Sequence, residues 1–260
     1  MNKVALLHDY LHYYFSAKTR YGIHSPFTFD FVCNVVNKKT KFQEVSDIEA
    51  IRKELKKNNT GIFVSDLGAG SKKNSGRSRT IRDIAKHSLK SRKYASLLYR
   101  MVKYFKSAKV LELGTSLGIS TSYMAKANPM TEIITVEGCM NIAEIAEKNA
   151  QKAGLKNIVF IIGGFDDMLD NLARKHKPDF VFFDGNHTEE ATIKYFETCL
   201  PYVQNESVFV FDDINWSDGM KQAWKKIKSH ERVTVTIDMF FMGLVFFRNE
   251  LSKENFVVRF

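Results

Sequence analysis

Short apolar runs and amphipathic stretches alternate along the second half of the chain. Apolar runs of four or five residues are typical of strands that are buried on both faces of a parallel sheet. Such runs predict strands at 110–113, 133–136, 158–162, 180–183, 208–211, 233–237 and 244–247. Helical periodicity predicts helices between them, at 141–153, 166–175, 189–200 and 216–228, with a further helix that begins near residue 119. The alternation predicts an α/β fold with helices on both faces of the sheet.

Residues 1–90 precede this alternation and are predicted to form a helical appendage with a basic loop. Apolar and aromatic side chains recur at helical spacing between Leu7 and Phe15, and Pro26 starts a second helix. Ser46 begins a third helix, which runs to Lys57. The pattern fits a helical cap or a homodimer surface. Residues 91–260 are predicted to form the main domain.

The segment 62–70 looks like a cofactor-binding turn, because an apolar run leads into Gly-Ala-Gly. A polar and basic stretch follows it, and no apolar helix completes the unit, so we do not assign a cofactor to this segment. Its four cations, Lys72, Lys73, Arg77 and Arg79, predict either a loop that binds an anion or a solvated surface loop.

Residues 109–120 (KVLELGTSLGIS) combine a strand, a glycine turn and the start of a helix. Gly114 and Gly118 let the backbone approach a ligand closely, and the first turn of the helix offers free N–H groups. The spacing is not G-x-G-x-x-G, and Glu112 adds a negative charge that would repel a pyrophosphate. The stretch therefore predicts a nucleotide-like ligand with a cationic or amino end.

This stretch resembles motif I of the class I S-adenosylmethionine-dependent methyltransferases, in the E-L-G-x-x-x-G form of the O-methyltransferases related to catechol methyltransferase. The resemblance covers about residues 90–250. It implies a Rossmann-like sheet of seven strands, mostly parallel, that ends in an antiparallel hairpin. It also implies S-adenosylmethionine as the cofactor.

Glu137 ends the second predicted strand, where a carboxylate can accept both ribose hydroxyls of a nucleoside. By resemblance, Ser116 and Ser120 line the methionine end of the cofactor, while Phe165 and Asp166 flank the adenine. Packing in the core is the alternative for Phe165. The complete predicted cofactor site is Glu112, Gly114, Thr115, Ser116, Gly118, Ser120, Glu137, Gly164, Phe165, Asp166 and Asp184.

Three carboxylates follow the fourth and fifth predicted strands, Asp184 after one and Asp212 and Asp213 after the other. Carboxylates that converge repel one another unless a cation or a proton lies between them, and Mg²⁺ prefers oxygen ligands. We therefore predict a magnesium site at these three residues. Catechol-type enzymes carry Asp-Asn at the second position, whereas Asp-Asp is closer to the metal-dependent sugar O-methyltransferases of macrolide synthesis. Helix capping or binding of the methionine amine is the alternative for Asp184 and Asp212.

His187 lies three residues after Asp184, where catechol-type enzymes carry a catalytic lysine. An imidazole can act as general base toward a hydroxyl, so His187 and Asp184 are the predicted catalytic residues. Asn215 and Trp216 are expected either to line the acceptor pocket or to pack in the core.

Composition adds a charge and a compartment to this picture. The 260 residues include 39 Lys and Arg against 29 Asp and Glu, a formal charge of +10. Such a charge indicates an anionic partner or simply a solvated surface. Three widely spaced cysteines form neither a disulfide framework nor a zinc motif, and no stretch is long enough to span a membrane, so we expect a cytoplasmic protein.

The resemblance implies transfer of a methyl group to a hydroxyl of a small molecule or a sugar, with an anionic acceptor left open. The Asn/Asp-Pro-Pro-Tyr signature of amino-group methylation is missing after the fourth strand. Two alternatives remain. One is an RNA-directed methyltransferase that uses the basic loop, and the other is a non-catalytic cofactor-binding or scaffold protein.

Overall fold

The computed structural model describes residues 3–65 and 77–260. These form two compact units, one of the described residues up to Lys38 together with Leu169–Phe260, and one of Lys39–Met168. Lys72 and Lys73 of the basic loop lie outside the described residues, as does the side chain of Arg77. The domain boundary at residue 90 stays a prediction.

Ten α-helices lie in the described parts of the chain. They are α1 (Lys3–Ser16), α2 (Pro26–Phe31), α3 (Ser46–Leu55), α4 (Ile81–Ser88), α5 (Arg92–Phe105), α6 (Ile119–Ala127), α7 (Met140–Lys152), α8 (Phe165–His176), α9 (Glu189–Cys199) and α10 (Asp218–Ser229). A π-helical turn at Val32–Val36 continues α2. Among these helices, none is long and apolar enough to cross a membrane.

The described strands number ten as well. They are β1 (Gly61–Val64), β2 (Arg77–Thr80), β3 (Lys109–Leu113), β4 (Glu132–Glu137), β5 (Ile158–Ile162), β6 (Phe180–Phe183), β7 (Val208–Asp212), β8 (Val235–Asp238), β9 (Met242–Phe246) and β10 (Glu254–Val257). β1 and β2 pair only with each other, as an antiparallel ladder.

The main sheet has the strand order β10-β8-β9-β7-β6-β3-β4-β5. β3, β4 and β5 run parallel, β6 and β7 run parallel, and β9 is antiparallel to both β7 and β8. The predicted α/β class, the mostly parallel sheet and the antiparallel closing hairpin are therefore confirmed.

The predicted count of seven strands is wrong by one, because β10 adds an eighth strand parallel to β8. Only Phe256 of this strand is buried, so β10 lacks the apolar run that marks the other strands. Lys18 covers its outer side: the Lys18 N–H donates to the Val257 carbonyl at 2.8 Å, and the Arg259 N–H donates to the Lys18 carbonyl at 3.0 Å.

Helix α1 packs one face against its own unit. Tyr13 and Ala17 are buried against Phe240, and the Tyr13 hydroxyl donates to the Val258 carbonyl at 2.6 Å. The outward side of the helix leaves large apolar side chains exposed, Phe15 at 77% among them. The helical cap and the homodimer surface both stay predictions.

Strands β6 and β7 are apolar and buried along their whole length, up to the last residue of β7. The rings of Phe183 and Phe211 stack with their centroids 4.4 Å apart. Because every earlier position on these strands packs in the core, the first polar side chains come at the carboxyl ends, at Asp184 and Asp212. Burial of the strands thus places carboxylates side by side at one edge of the sheet.

Gly118 precedes α6 with a φ of 77°, a left-handed conformation that favours glycine. A Cβ at this position would lie 3.0 Å from the Cβ of Ala146 in α7. The sequence interpretation gave this glycine a role in the approach of backbone to ligand. The structure adds a second reason, which is the close packing of α6 on α7.

We predict that Gly118→Ala destabilises the fold more than Gly154→Ala. Both glycines have positive φ, so each substitution carries a backbone strain of about 1–2 kcal/mol. Nothing lies within 4 Å of a Cβ at Gly154, whereas Ala146 meets one at Gly118, which costs about 1–3 kcal/mol more. Urea denaturation of both variants measures the difference. Equal losses would mean that the contact with Ala146 relaxes at no cost.

Candidate functional site

The glycine turn between β3 and α6 is held against the carboxyl end of β4. Gly114, Ser116 and Gly118 all have positive φ, at 106°, 47° and 77°. The N–H groups of Gly114 and Thr115 both donate to the Val136 carbonyl, at 3.0 and 3.2 Å. The turn therefore has a defined position beside the end of β4, where Glu137 lies.

Glu137 is fixed at this turn by two backbone hydrogen bonds. Its Oε2 accepts from the Ser116 N–H at 2.9 Å, and its Oε1 accepts from the Cys139 N–H at 3.0 Å. The side chain is half-buried. A carboxylate has about four lone-pair sites in all, so it can accept several hydrogen bonds at once. The structure thus brings together Glu137 and Ser116, two residues of the predicted cofactor site.

Glu112 lies within β3 and not in the turn, and it is completely buried. Its Oε2 accepts hydrogen bonds from the hydroxyls of Thr121 at 2.5 Å and Thr135 at 2.7 Å. The Thr115 and Thr135 hydroxyls are 2.6 Å apart, which extends the network into the turn. Sequence reasoning missed Thr121 and Thr135. The pairing of β3 with β4 sets Glu112 opposite Thr135, and a polar residue at each of these positions is the signal that was available.

Burial raises the pKa of Glu112 to about 7, and the hydroxyls of Ser120, Thr121 and Thr135 oppose this shift only in part. The Oε1 of Glu112 and the Oγ of Ser116 are buried and have no hydrogen-bond partner among the described residues. Buried polar atoms without partners are costly. Two such atoms in and beneath the glycine turn fit a polar ligand that completes their hydrogen bonding.

Four further residues of the predicted cofactor site, Ser120, Gly164, Phe165 and Asp166, follow strands of the same unit. The Gly163 N–H donates to the Glu137 carbonyl at 3.0 Å, which ties the loop after β5 to the end of β4. Helix α8 then starts at Phe165, which is half-buried, and Asp166 is exposed. Partial exposure of Phe165 argues against a purely core role. Ser120 is buried in the first turn of α6.

A second cluster lies in the other compact unit and consists of Asp184, His187 and Asp212. One ligand atom from each lies within 4.8 Å of the other two. The Nε2 of His187 is 3.7 Å from an Oδ1 of Asp184. Asp212 is buried, and the other two side chains are partly exposed. Because β6 and β7 are parallel with Phe183 opposite Phe211, the two carboxylates leave adjacent strands at the same level.

The loop between β6 and α9 turns His187 back toward Asp184. Asn186 adopts a left-handed φ of 52°, and its Nδ2 donates to the Tyr195 hydroxyl at 3.1 Å. Thr188 then caps α9 by accepting from the Ala191 N–H at 3.3 Å. Sequence reasoning missed Asn186, although asparagine is among the few non-glycine residues that accept this conformation readily.

Asp213 lies outside the group of three, with a φ of 54° and its carbonyl bonded to the Trp216 N–H. Its assignment as a metal ligand stays a prediction. The Nδ2 of Asn215 donates to the Phe240 carbonyl at 2.8 Å, so this side chain fixes a neighbouring loop. Trp216 is 46% exposed, which argues against core packing for its ring.

Residues 111–214 match the protein family described as a methyltransferase domain. The chain is 32% identical over 114 residues to the catechol O-methyltransferase of Mycobacterium tuberculosis, which is 43% of this chain and 50% of that protein. It is 31% identical over 126 residues to the catechol O-methyltransferase of Niastella koreensis, 47% of this chain and 55% of that protein. The chain thus spans about half the length of the curated relatives it matches.

A solved O-methyltransferase from Bacillus cereus, in complex with SAH, shares the fold. Its TM-score is 0.55 at 18% identity, and the match covers 84% of this chain and 96% of that one. The mixed sheet is thus shared with a methyltransferase fold, and residues 111–214, which include the glycine turn, are similar to the methyltransferase domain family. The resemblance found in residues 109–120 is confirmed.

We predict that Glu112→Gln gains stability relative to the wild type as pH rises. A raised carboxyl pKa means that the folded state holds the proton more tightly, so ionisation above the ordinary pKa of 4.5 destabilises the wild-type fold until pH passes about 7. The amide cannot ionise. The gain should reach up to about 3 kcal/mol between about pH 5 and pH 8 in urea denaturation without cofactor.

Glu144→Gln is the control, because Glu144 is an exposed carboxylate of α7. The stability of Glu144→Gln should equal that of the wild type at about pH 5 and at about pH 8. A pH-independent effect of Glu112→Gln would show that Glu112 ionises in its ordinary range.

Proposed function

We propose that the chain is an S-adenosylmethionine-dependent O-methyltransferase that acts on a hydroxyl of a small molecule or a sugar, assisted by a divalent metal ion. The observation that carries the proposal is the Glu137 carboxylate held against the glycine turn by the Ser116 N–H. The curated relatives, which are catechol O-methyltransferases, support a hydroxyl as the acceptor.

The cofactor side of the proposal rests on the unit Lys39–Met168. S-adenosylmethionine, when bound, supplies a methyl group on a positively charged sulfur. Glu137 would accept the ribose hydroxyls, and the buried Ser116 hydroxyl and Glu112 Oε1 would gain the partners they lack among the described residues. Phe165 and Asp166 would flank the adenine at the start of α8.

The acceptor side rests on Asp184 and Asp212. Two carboxylates and an imidazole within 4.8 Å of one another suit a divalent cation, which would lower the pKa of an acceptor hydroxyl. In the transfer, the acceptor oxygen bonds to the methyl carbon, the carbon–sulfur bond breaks, and its electron pair stays on the sulfur. The hydroxyl proton leaves to a base. His187 is the base predicted from the sequence, and this role stays a prediction.

Two measurements on the purified protein test the function. Calorimetry should detect S-adenosylmethionine binding, and mass spectrometry should detect a mass gain of one methyl group on members of a panel of catechols and sugars. Binding without transfer to any hydroxyl would favour the scaffold alternative. Transfer to RNA instead would favour the RNA-directed alternative, and absence of binding would overturn the assignment.

We predict that Glu137→Ala weakens cofactor binding by about 1.5–3 kcal/mol, roughly 10- to 150-fold, because charge-assisted hydrogen bonds to the ribose are lost. Glu144→Ala is the matched control and should bind normally, since it removes an exposed carboxylate from the same unit. Gly114→Val should be worse than Glu137→Ala, because its φ of 106° disfavours a β-branched side chain. Unchanged affinity in both variants, measured by calorimetry, would rule out this turn as the cofactor site.

We also predict that a chelator abolishes turnover and leaves cofactor binding largely intact. Asp212→Asn should lower kcat far more than it changes cofactor affinity, because the buried carboxylate would hold the metal ion. Asp218→Asn is the control, an exposed carboxylate at the start of α10. Full activity with chelator present would show that hydroxyl activation needs no metal.

A further inference from the structure

We infer that His187 is a metal ligand and that the cluster Asp184–His187–Asp212 selects a first-row transition-metal ion such as Fe²⁺, Co²⁺ or Zn²⁺ over Mg²⁺. This inference rests on the proposed function, because it concerns the metal of the same site. It replaces the all-carboxylate magnesium site and the catalytic base expected from the sequence.

The first argument is the spacing of the three groups. The 3.7 Å between His187 Nε2 and Asp184 Oδ1 is too long for a hydrogen bond. Ligand atoms bound at about 2.1 Å to one ion lie between roughly 3.0 Å apart, at right angles, and roughly 4.2 Å apart, on opposite sides. The observed separation falls inside this interval. Asp212 completes the group within 4.8 Å, so a small contraction would bring all three atoms onto one ion.

The second argument is the chemistry of the donors. Mg²⁺ prefers oxygen ligands and retains its waters, whereas imidazole nitrogen suits iron, nickel, copper and zinc. Asp184 and Asp212 suit either class of ion. His187 is therefore the residue that decides the preference. Asp213, which would have made the site all-oxygen, is not part of the group.

The third argument is that the loop holds the imidazole in place. Asn186 takes a left-handed conformation and donates to the Tyr195 hydroxyl, and Thr188 caps the N-terminus of α9 directly after His187. His187 thus sits between two anchored residues. Its side chain is 28% exposed, so an ion can reach it from solvent.

The assignment changes the route of the acceptor proton. A nitrogen lone pair that binds a metal ion cannot also accept a proton, so Nε2 cannot serve as the general base. The hydroxyl proton would then pass to solvent once the metal has lowered the hydroxyl pKa. Loss of activity in a His187 variant would reflect loss of the ion.

The test uses metal-free protein and the metal chlorides alone, without cofactor or acceptor. Titration with CoCl₂ and with MgCl₂ should show Co²⁺ binding at least about 100-fold tighter than Mg²⁺. The Co²⁺ complex should also show a paramagnetically shifted, exchangeable imidazole N–H resonance in its proton NMR spectrum. His187→Asn should lose this resonance and at least about tenfold in Co²⁺ affinity, with less than about threefold change for Mg²⁺.

Two further variants sharpen the result. His187→Asp restores three carboxylates and should reduce the ratio of Co²⁺ to Mg²⁺ affinity by at least about tenfold. Asp218→Asn should leave both affinities unchanged. The inference is overturned if His187→Asn keeps the resonance and the Co²⁺ affinity, if His187→Asp leaves the ratio unchanged, or if the wild type binds no Co²⁺.

Failure of this inference is separable from failure of the proposed function. A protein that binds S-adenosylmethionine and transfers methyl groups, yet lacks the His187-dependent Co²⁺ signal, keeps its function and loses this metal assignment. A protein with the signal and no cofactor binding keeps the metal site and loses the function.

Discussion

The buried carboxylate of Glu112 is the constraint on which the glycine turn and the elements around it depend. Its hydrogen bonds come from hydroxyl groups on different elements: Thr135 from β4, Thr121 from α6 and, through Thr135, Thr115 from the turn. The strands β3 and β4, the glycine turn and α6 must therefore keep their relative positions for the buried carboxylate to keep its hydrogen bonds. The same network places Ser116 where its N–H reaches Glu137.

In the other compact unit, polar side chains are distributed differently along the parallel strands β6 and β7. Here β6 and β7 carry no polar side chain until β7 ends, and the rings of Phe183 and Phe211 stack in the core. Polar side chains come at the ends of these strands and in the loop after β6, where Asp184, His187 and Asp212 lie close together. One unit thus carries a buried carboxylate next to its glycine turn, and the other carries its carboxylates where β6 and β7 end.

The sequence allowed prediction of whatever depends on local hydrophobic pattern or on adjacent residues. All seven predicted strands and the glycine turn are present. The strands could be predicted because a strand that is buried on both faces consists mostly of apolar residues. β10 was not predicted, because Phe256 is the single buried side chain of this edge strand and no apolar run marks it. The hydroxyl partners of Glu112 were not predicted, because they come close to it only through the strand register and the packing of α6. The position of His187 beside Asp184 depends on the left-handed conformation of Asn186. Asparagine accepts this conformation but does not require it, so the sequence does not predict it.

The backbone of Lys18 lies along the outer side of β10 and occupies hydrogen-bonding groups of Val257 and Arg259. An uncovered strand at a sheet edge acts as a template for strands of other molecules. Proteolytic trimming of the chain ahead of Thr19 would strip this cover and expose the edge. The short segment after α1 therefore protects the edge of the sheet from pairing with strands of other molecules. This role in preventing aggregation is independent of any chemistry at the strand ends.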